Sequence, residues 1–292
     1  MEDCKFVQLK NGGELAFVEY GSAIGTPVLF CHGWPSSRTM AQLTDAAAGE
    51  LSVKIISPDR PGIRDSSFQS NRRLIDWPDV VEQLADYLGF DRFRVLAISG
   101  GAPYAYATAW KIPDRVCAVA IASGAPPIID LRDHSGLLSL YRRLIWLYRH
   151  SRITLQAFFY VTGMLASIRP PERLRPLILK ILRLRPCDAT ALEDSVAFEA
   201  CFESQRRAWR ASVKGLIHDA EIFGRPWGFR LEDVDVPVRL WHGREDRAFS
   251  IDVAKYVAER LPTCVPRFIE GEGHYSLPIR HIREILADLI AV

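Results

Sequence analysis

The chain of 292 residues is 48% hydrophobic and 25% charged, ordinary globular usage that excludes a disordered or fibrous protein. Its net charge of +2 gives no case for nucleic acid, whose partners carry a markedly basic domain. The N-terminus has no basic segment followed by an apolar run, and the longest uncharged apolar stretch, 153–168, is shorter than the ~20 residues of a membrane span.

The six cysteines, at 4, 31, 117, 187, 201 and 264, form no CxxC pair and no cluster with histidine. They read as small buried apolar residues in a reducing compartment rather than as a metal site or disulfide framework. The expectation is a cytoplasmic protein without metal or organic cofactor, its oligomeric state left open.

Short apolar runs bounded by Gly and Pro predict strands at 14–20, 27–31, 53–57, 93–98 and 116–122. Helical periodicity between them predicts helices at 39–48, 73–88 and 102–111, the last with Pro103 in its first turn, where a missing N–H costs little. Strands alternating with helices in this way predict an α/β fold with a mainly parallel sheet covered on both faces. The rhythm breaks at 126–225, where helices follow one another (137–149, 153–167, 173–184 and 189–222, the last with interruptions). It resumes with a strand at 236–242, a helix at 251–260, a strand at 265–269 and a helix at 279–290. The expected organisation is a core made of 1–125 and 226–292 with a helical lid inserted at 126–225. Residues 130–225 carry 16 Lys and Arg against 10 Asp and Glu, so the lid is basic and the core acidic.

One turn stands out. In Ala97-Ile98-Ser99-Gly100-Gly101 a strand gives way to a helix through a single residue, and the positions two before and two after Ser99 are small. So sharp a turn lifts the hydroxyl above the sheet edge, at the spot where the N–H groups of the following helix point. This is the arrangement of a nucleophile elbow, with Ala in place of the first Gly. His32-Gly33-Trp34-Pro35 follows an upstream strand, Gly243-Arg244-Glu245-Asp246 follows the strand at 236–242, and Gly273-His274 follows the strand at 265–269.

In this order, and with Asp59-Arg60-Pro61-Gly62 after the strand at 53–57, the motifs resemble those of the α/β-hydrolase superfamily, more closely its lid-bearing, cofactor-independent members with an HGWP-type loop. The resemblance runs over nearly the whole chain. It implies the α/β-hydrolase fold and a Ser99–His274–Asp246 triad: His274 takes the hydroxyl proton, and Asp246 holds the imidazole tautomer. Glu245 is the rival acid, but Gly-x-x-Asp is the family pattern. The N–H groups of Trp34 and Gly100 are the candidate oxyanion donors, with His32 and Gly33 supporting that loop rather than reacting. Asp59 and Arg60 read as a loop brace. Arg64-Asp65 stand where the family often has Gly-x-Ser, which puts any role of that loop in doubt.

The expected activity is a serine hydrolase cleaving an ester, thioester or lactone through an acyl-enzyme. A carbon–carbon hydrolase or a biosynthetic tailoring enzyme would use the same triad; a ligand-binding receptor or inactive scaffold is the alternative of another class. Epoxide hydrolases and dehalogenases would need a carboxylate where Ser99 stands. The substrate is expected to be a small, largely apolar molecule, with an anionic group an option given the arginine-rich lid. The same arginines also fit a purely solvated or internally paired role. Asp219 and Glu221 read as a solvated helix face, with contact to substrate the alternative, and Trp146, Phe158, Phe159, Tyr160 and Met164 as lid core, with pocket lining the second reading. His134, His150, His218 and His281 read as surface or packing residues. The apolar stretch 153–168 with basic flanks suits a membrane surface or a second subunit.

Overall fold

In the computed structural model, which describes residues 3–292, eight strands form one sheet. The first half of the chain contributes β1 (Lys5–Gln8), β2 (Glu14–Gly21), β3 (Thr26–Cys31), α1 (Asp45–Glu50), β4 (Val53–Pro58), α2 (Trp77–Tyr87), β5 (Phe93–Ile98), α3 (Ala102–Lys111) and β6 (Val116–Ala122). Helices α4 (Ser139–His150), α5 (Arg152–Ala166), α6 (Arg175–Ile181), α7 (Pro186–Ala191), α8 (Ser195–Phe198), α9 (Ser204–Ala211) and α10 (Val213–Phe223) follow. The chain closes with β7 (Val238–Gly243), α11 (Ile251–Ala258), β8 (Cys264–Ile269) and α12 (Ser276–Ile290).

The sheet order is β1-β2-β4-β3-β5-β6-β7-β8, antiparallel at β1–β2 and β2–β4 and parallel from β4 onward. Side chains alternate between its faces with period two. On β5, Val95 and Ala97 face the cluster built with α2, α3 and α11, while Leu96 and Ile98 face α1 and α12. On β6, Ala118, Ala120 and Ala122 leave room for the α12 side chains Leu277, Ile285, Leu286 and Leu289.

Two sequence expectations shift. Strand β1 was not anticipated; only Val7 of its four residues is buried, so it carries almost no hydrophobic signal. The helix expected at 39–48 is a 3₁₀ stretch, Arg38–Thr44, continuing into α1. The interruptions expected within 189–222 include a π-helical stretch, Glu199–Glu203, and the extended backbone of Ser212, whose side chain caps α10. Between β6 and β7 the described residues form no strand of the sheet.

Candidate active site

The turn after β5 holds Ser99 at φ +53°, the left-handed region that a non-glycine residue rarely adopts. Its neighbours explain the need for small residues. A Cβ on Gly101 would overlap the Cys31 carbonyl, and one on Gly100 would lie 2.8 Å from Trp34 Cβ. The Ser99 carbonyl accepts from the Ala125 N–H at 2.9 Å, which ties the turn to the end of β6.

The loops after β7 and β8 converge on this serine. His274 Nε2 lies 3.0 Å from Ser99 Oγ, and His274 Nδ1 lies 2.8 Å from Asp246 Oδ2. A carboxylate only accepts, so Nδ1–H is the donor and Nε2 presents its lone pair to the hydroxyl. The other Asp246 oxygen accepts from the N–H groups of Ala248 (2.7 Å) and Phe249 (3.1 Å), which fixes the carboxylate plane. Burial raises the Asp246 pKa, but the His274 imidazole and these hydrogen bonds outweigh it and hold the acid below its ordinary range. For His274 burial opposes the charged form; the Asp246 carboxylate, with Asp188 behind it, overcomes this and raises its pKa. Glu245 turns away, ion-paired at 2.5 Å with Arg185 on the half-exposed surface.

The Gly33–Trp34 peptide borders the same space. His32 is buried and kept neutral by that burial and by the Arg60 guanidinium. Its Nδ1 donates to the Gly33 carbonyl at 2.9 Å. Arg60 donates to the carbonyls of His32 (2.5 Å) and Gly33 (3.0 Å). In a trans peptide the C=O and N–H point in opposite directions. Donors fixed on the Gly33 oxygen therefore hold the Trp34 N–H in the opposite direction. Among the described residues neither Trp34 N–H nor Gly100 N–H bonds to another loop or strand.

Two carboxylates hold this geometry in a role that the sequence did not indicate. Asp219 on α10 is wholly buried, which corrects its reading as a solvated face. Its carboxylate takes Arg60 Nε at 2.7 Å, Arg72 Nη2 at 2.6 Å and the Tyr104 hydroxyl at 2.8 Å. Burial works against that charge, but the two guanidinium groups hold it well below the ordinary carboxylate range. The second is Asp188 on α7, also buried. It accepts from the N–H groups of His274 (3.3 Å), Tyr275 (2.9 Å) and Ser276 (2.8 Å) at the start of α12. A Cβ on Gly273 would sit 2.5 Å from both Asp188 oxygens, so only glycine fits beneath that carboxylate. The spacing of carboxylates along the sequence carries no sign of either contact. Asp59 does act as the expected brace, ion-paired with buried Arg38.

Two hollows meet at Ser99. The larger, about 240 Å³, is lined almost entirely by apolar side chains, among them Leu144, Leu155, Phe159, Phe223 and Phe249, with Arg149 at its edge. The smaller, about 70 Å³, lies on the His274 side and includes Cys201, Gln205 and Tyr275. Of the aromatic and sulfur residues expected as lid core, Phe159 is buried and lines the larger hollow, whereas Phe158, Tyr160 and Met164 are exposed because α5 turns only one narrow stripe inward, and Trp146 on α4 is exposed as well.

The alpha/beta hydrolase family model matches residues 28–288. The chain belongs to the alpha/beta hydrolase family. Among relatives of this hydrolase is an uncharacterized hydrolase of Saccharomyces cerevisiae, 26% identical over 121 residues, which are 40% of this chain and 41% of the relative. The chain's matches thus span about two fifths of the length of its curated relatives. Its fold is similar to that of an esterase from Exiguobacterium antarcticum (18% identity, TM-score 0.69, 98% of each chain). It is also similar to a bromoperoxidase from Bacillus anthracis (20% identity, TM-score 0.71, 99% of each chain). At such identities the likeness concerns the fold.

Proposed function

We propose that this α/β hydrolase is a serine hydrolase that cleaves a carboxylic ester-type bond through an acyl-enzyme. The observation that carries the reading is the chain of contacts Ser99–His274–Asp246 at 3.0 and 2.8 Å. Serine is a weak nucleophile until a base takes its proton. Here His274 Nε2 takes the proton as Ser99 Oγ adds to the carbonyl carbon, and Asp246 stabilises the imidazolium that forms. The developing oxyanion is received by the N–H groups of Trp34 and Gly100, each donor worth about 3 kcal/mol of barrier. The imidazolium then protonates the leaving alcohol as the C–O bond breaks. Water, activated by the same His274, hydrolyses the acyl-enzyme.

Because the leaving group must depart next to His274, the small hollow beside Gln205 and Tyr275 suits it, and the larger apolar chamber suits the acyl group. The favoured substrate is an ester with an apolar acyl group and a compact alcohol. The helical segment 126–225 walls the chamber through α4 and α5 and serves as its cap.

The test is intact-protein mass spectrometry after a fluorophosphonate probe, on the wild type beside Ser99→Ala. A single adduct that disappears in Ser99→Ala is expected. A folded wild type that takes no adduct would overturn the reading and favour a ligand-binding role for the same fold.

A further inference from the structure

Helix α5 is apolar on the wrong side. It buries Leu155, Phe159 and Gly163 against the rest of the protein. The opposite face carries Ile153, Tyr160, Val161 and Met164, and Leu165 and Ile168 extend it; these six are between 55 and 82% exposed. A helix that is apolar all round belongs in a buried setting, and a contiguous exposed patch of this kind marks a surface that is covered in use. Trp146 on α4 and Leu177 on α6 add to the exposed apolar area.

The charge on the same segment has one sign. Residues 139–184 contain nine Arg and Lys but a single acid, Glu172. Among the described residues Arg142, Arg143, Arg149, Arg173, Lys180 and Arg183 make no ion pair. Within this stretch Arg169 finds a partner in Glu199, whereas Arg206, which pairs with Glu203, lies outside it. Apolar side chains interleaved with unpaired guanidinium groups match a surface of fatty tails and anionic headgroups, since arginine pairs bidentately with phosphate. A second copy of the chain would bring the same positive charge against itself.

We propose that the α4–α6 face docks on the surface of an anionic lipid bilayer. Among the described residues no helix is long and apolar enough to cross a membrane. The 15 residues of α5 reach only about 22 Å, so the helix lies in the plane of the interface with Val161 and Met164 inserted. Residues of the same two helices, Leu144, Tyr148 and Arg149 on α4 and Leu155 and Phe159 on α5, line the apolar chamber. Docking therefore brings the chamber rim to the layer in which apolar esters accumulate.

The docking is tested apart from catalysis, by co-flotation of the full chain with vesicles. The vesicles are phosphatidylcholine alone or phosphatidylcholine with phosphatidylglycerol added, at low and high salt. Retention on the anionic vesicles is expected to exceed that on phosphatidylcholine roughly tenfold or more and to fall with salt. It should be lost in Val161→Glu/Met164→Glu and reduced in Arg142→Gln/Arg143→Gln, both at exposed positions and with the wild-type circular dichroism and melting curve. No retention on either vesicle overturns the proposal, as does retention unchanged by these substitutions. So does a wild-type dimer in light scattering that ignores vesicles and that Val161→Glu/Met164→Glu dissociates, for the face then covers a second copy.

Discussion

Replacing Asp188 tests whether a side chain from the helical segment positions the proposed base, His274. In Asp188→Ala the N–H groups of Tyr275 and Ser276 lose acceptors at 2.9 and 2.8 Å, and that of His274 loses a longer one at 3.3 Å. Hydrogen bonds to a charged group are each worth about 1.5–3 kcal/mol, and water entering the gap replaces part of that. Counting the two short bonds at the low end gives a loss of about 3 kcal/mol, or a melting temperature lower by on the order of 5–10 °C. Asp188 lines neither hollow at Ser99, so KM should hold while kcat falls, by about tenfold to a hundredfold for a base displaced by a fraction of an ångström to an ångström. The pH profile separates positioning from mere support. Asp246 and then Asp188 raise the pKa of His274 against its burial, and only neutral His274 can accept the serine proton. Activity thus appears as pH rises through that pKa, and removing the Asp188 charge must move the acidic limb to lower pH. Asp188→Asn, which keeps an acceptor oxygen but no charge, should show the same shift with a smaller loss of stability. The assay is kcat and kcat/KM for an apolar ester across pH, beside thermal denaturation of each variant. An unmoved acidic limb in both variants, or a raised KM at unchanged kcat, would refute the reasoning.

The remaining predictions concern the buried charge cluster behind the proposed oxyanion loop and the contact beneath Asp188. Asp219→Asn leaves Arg60 and Arg72 without their shared counter-charge in the interior and should cost about 3–5 kcal/mol in urea unfolding, against almost nothing for Asp252→Asn on the exposed start of α11. Arg60→Gln removes one of the two donors on the Gly33 carbonyl and leaves His32 Nδ1 alone, so the Trp34 N–H is held less firmly in its direction. In single-turnover acylation kcat should fall at least tenfold with the Ser99 probe adduct still forming slowly, and an unchanged acylation rate would dismiss the peptide-orientation argument. Gly273→Ala places a methyl group against the Asp188 oxygens and should reproduce the Asp188→Ala loss of kcat; full activity would show that the base loop does not depend on that contact.

The inner parallel strands β3 to β6 were legible because each is a short, largely apolar run bounded by Gly or Pro, as burial on both faces requires. β1 was not, since a four-residue edge strand with one buried side chain has too few apolar positions to show a period. The convergence of Ser99, Asp246 and His274 could be read from their places directly after β5, β7 and β8, because the carboxyl ends of parallel strands share one edge. What supports them was not legible. Asp188 and His274 are 86 residues apart and Asp219 and Arg60 are 159 apart. No local pattern announces a carboxylate that meets its donors across the fold. The helices of 126–225 were identifiable as helices, yet their inner and outer faces were confused, since α5 is apolar around its whole circumference and periodicity cannot say which side is covered.

These contacts change what the helical segment is. A cover that only shields the chamber would touch the core through its hinges and its inner surface. This one sends two buried carboxylates into the core, Asp188 to the backbone that carries His274 and Asp219 to the guanidinium that holds the Gly33 carbonyl. One reaches the proposed base and the other the proposed oxyanion donor, the two groups whose placement within a few tenths of an ångström decides the rate. The two anchors lie on α7 and α10, whereas the exposed apolar face lies on α4 to α6. The segment is thus fastened to the sheet edge through α7 and α10, while α5 packs its buried stripe on α9 and α10 and turns its apolar face outward. Substitutions on the outer face of α5 should accordingly leave kcat on a water-soluble ester untouched, while substitutions at Asp188 and Asp219 alter it without changing attachment to vesicles.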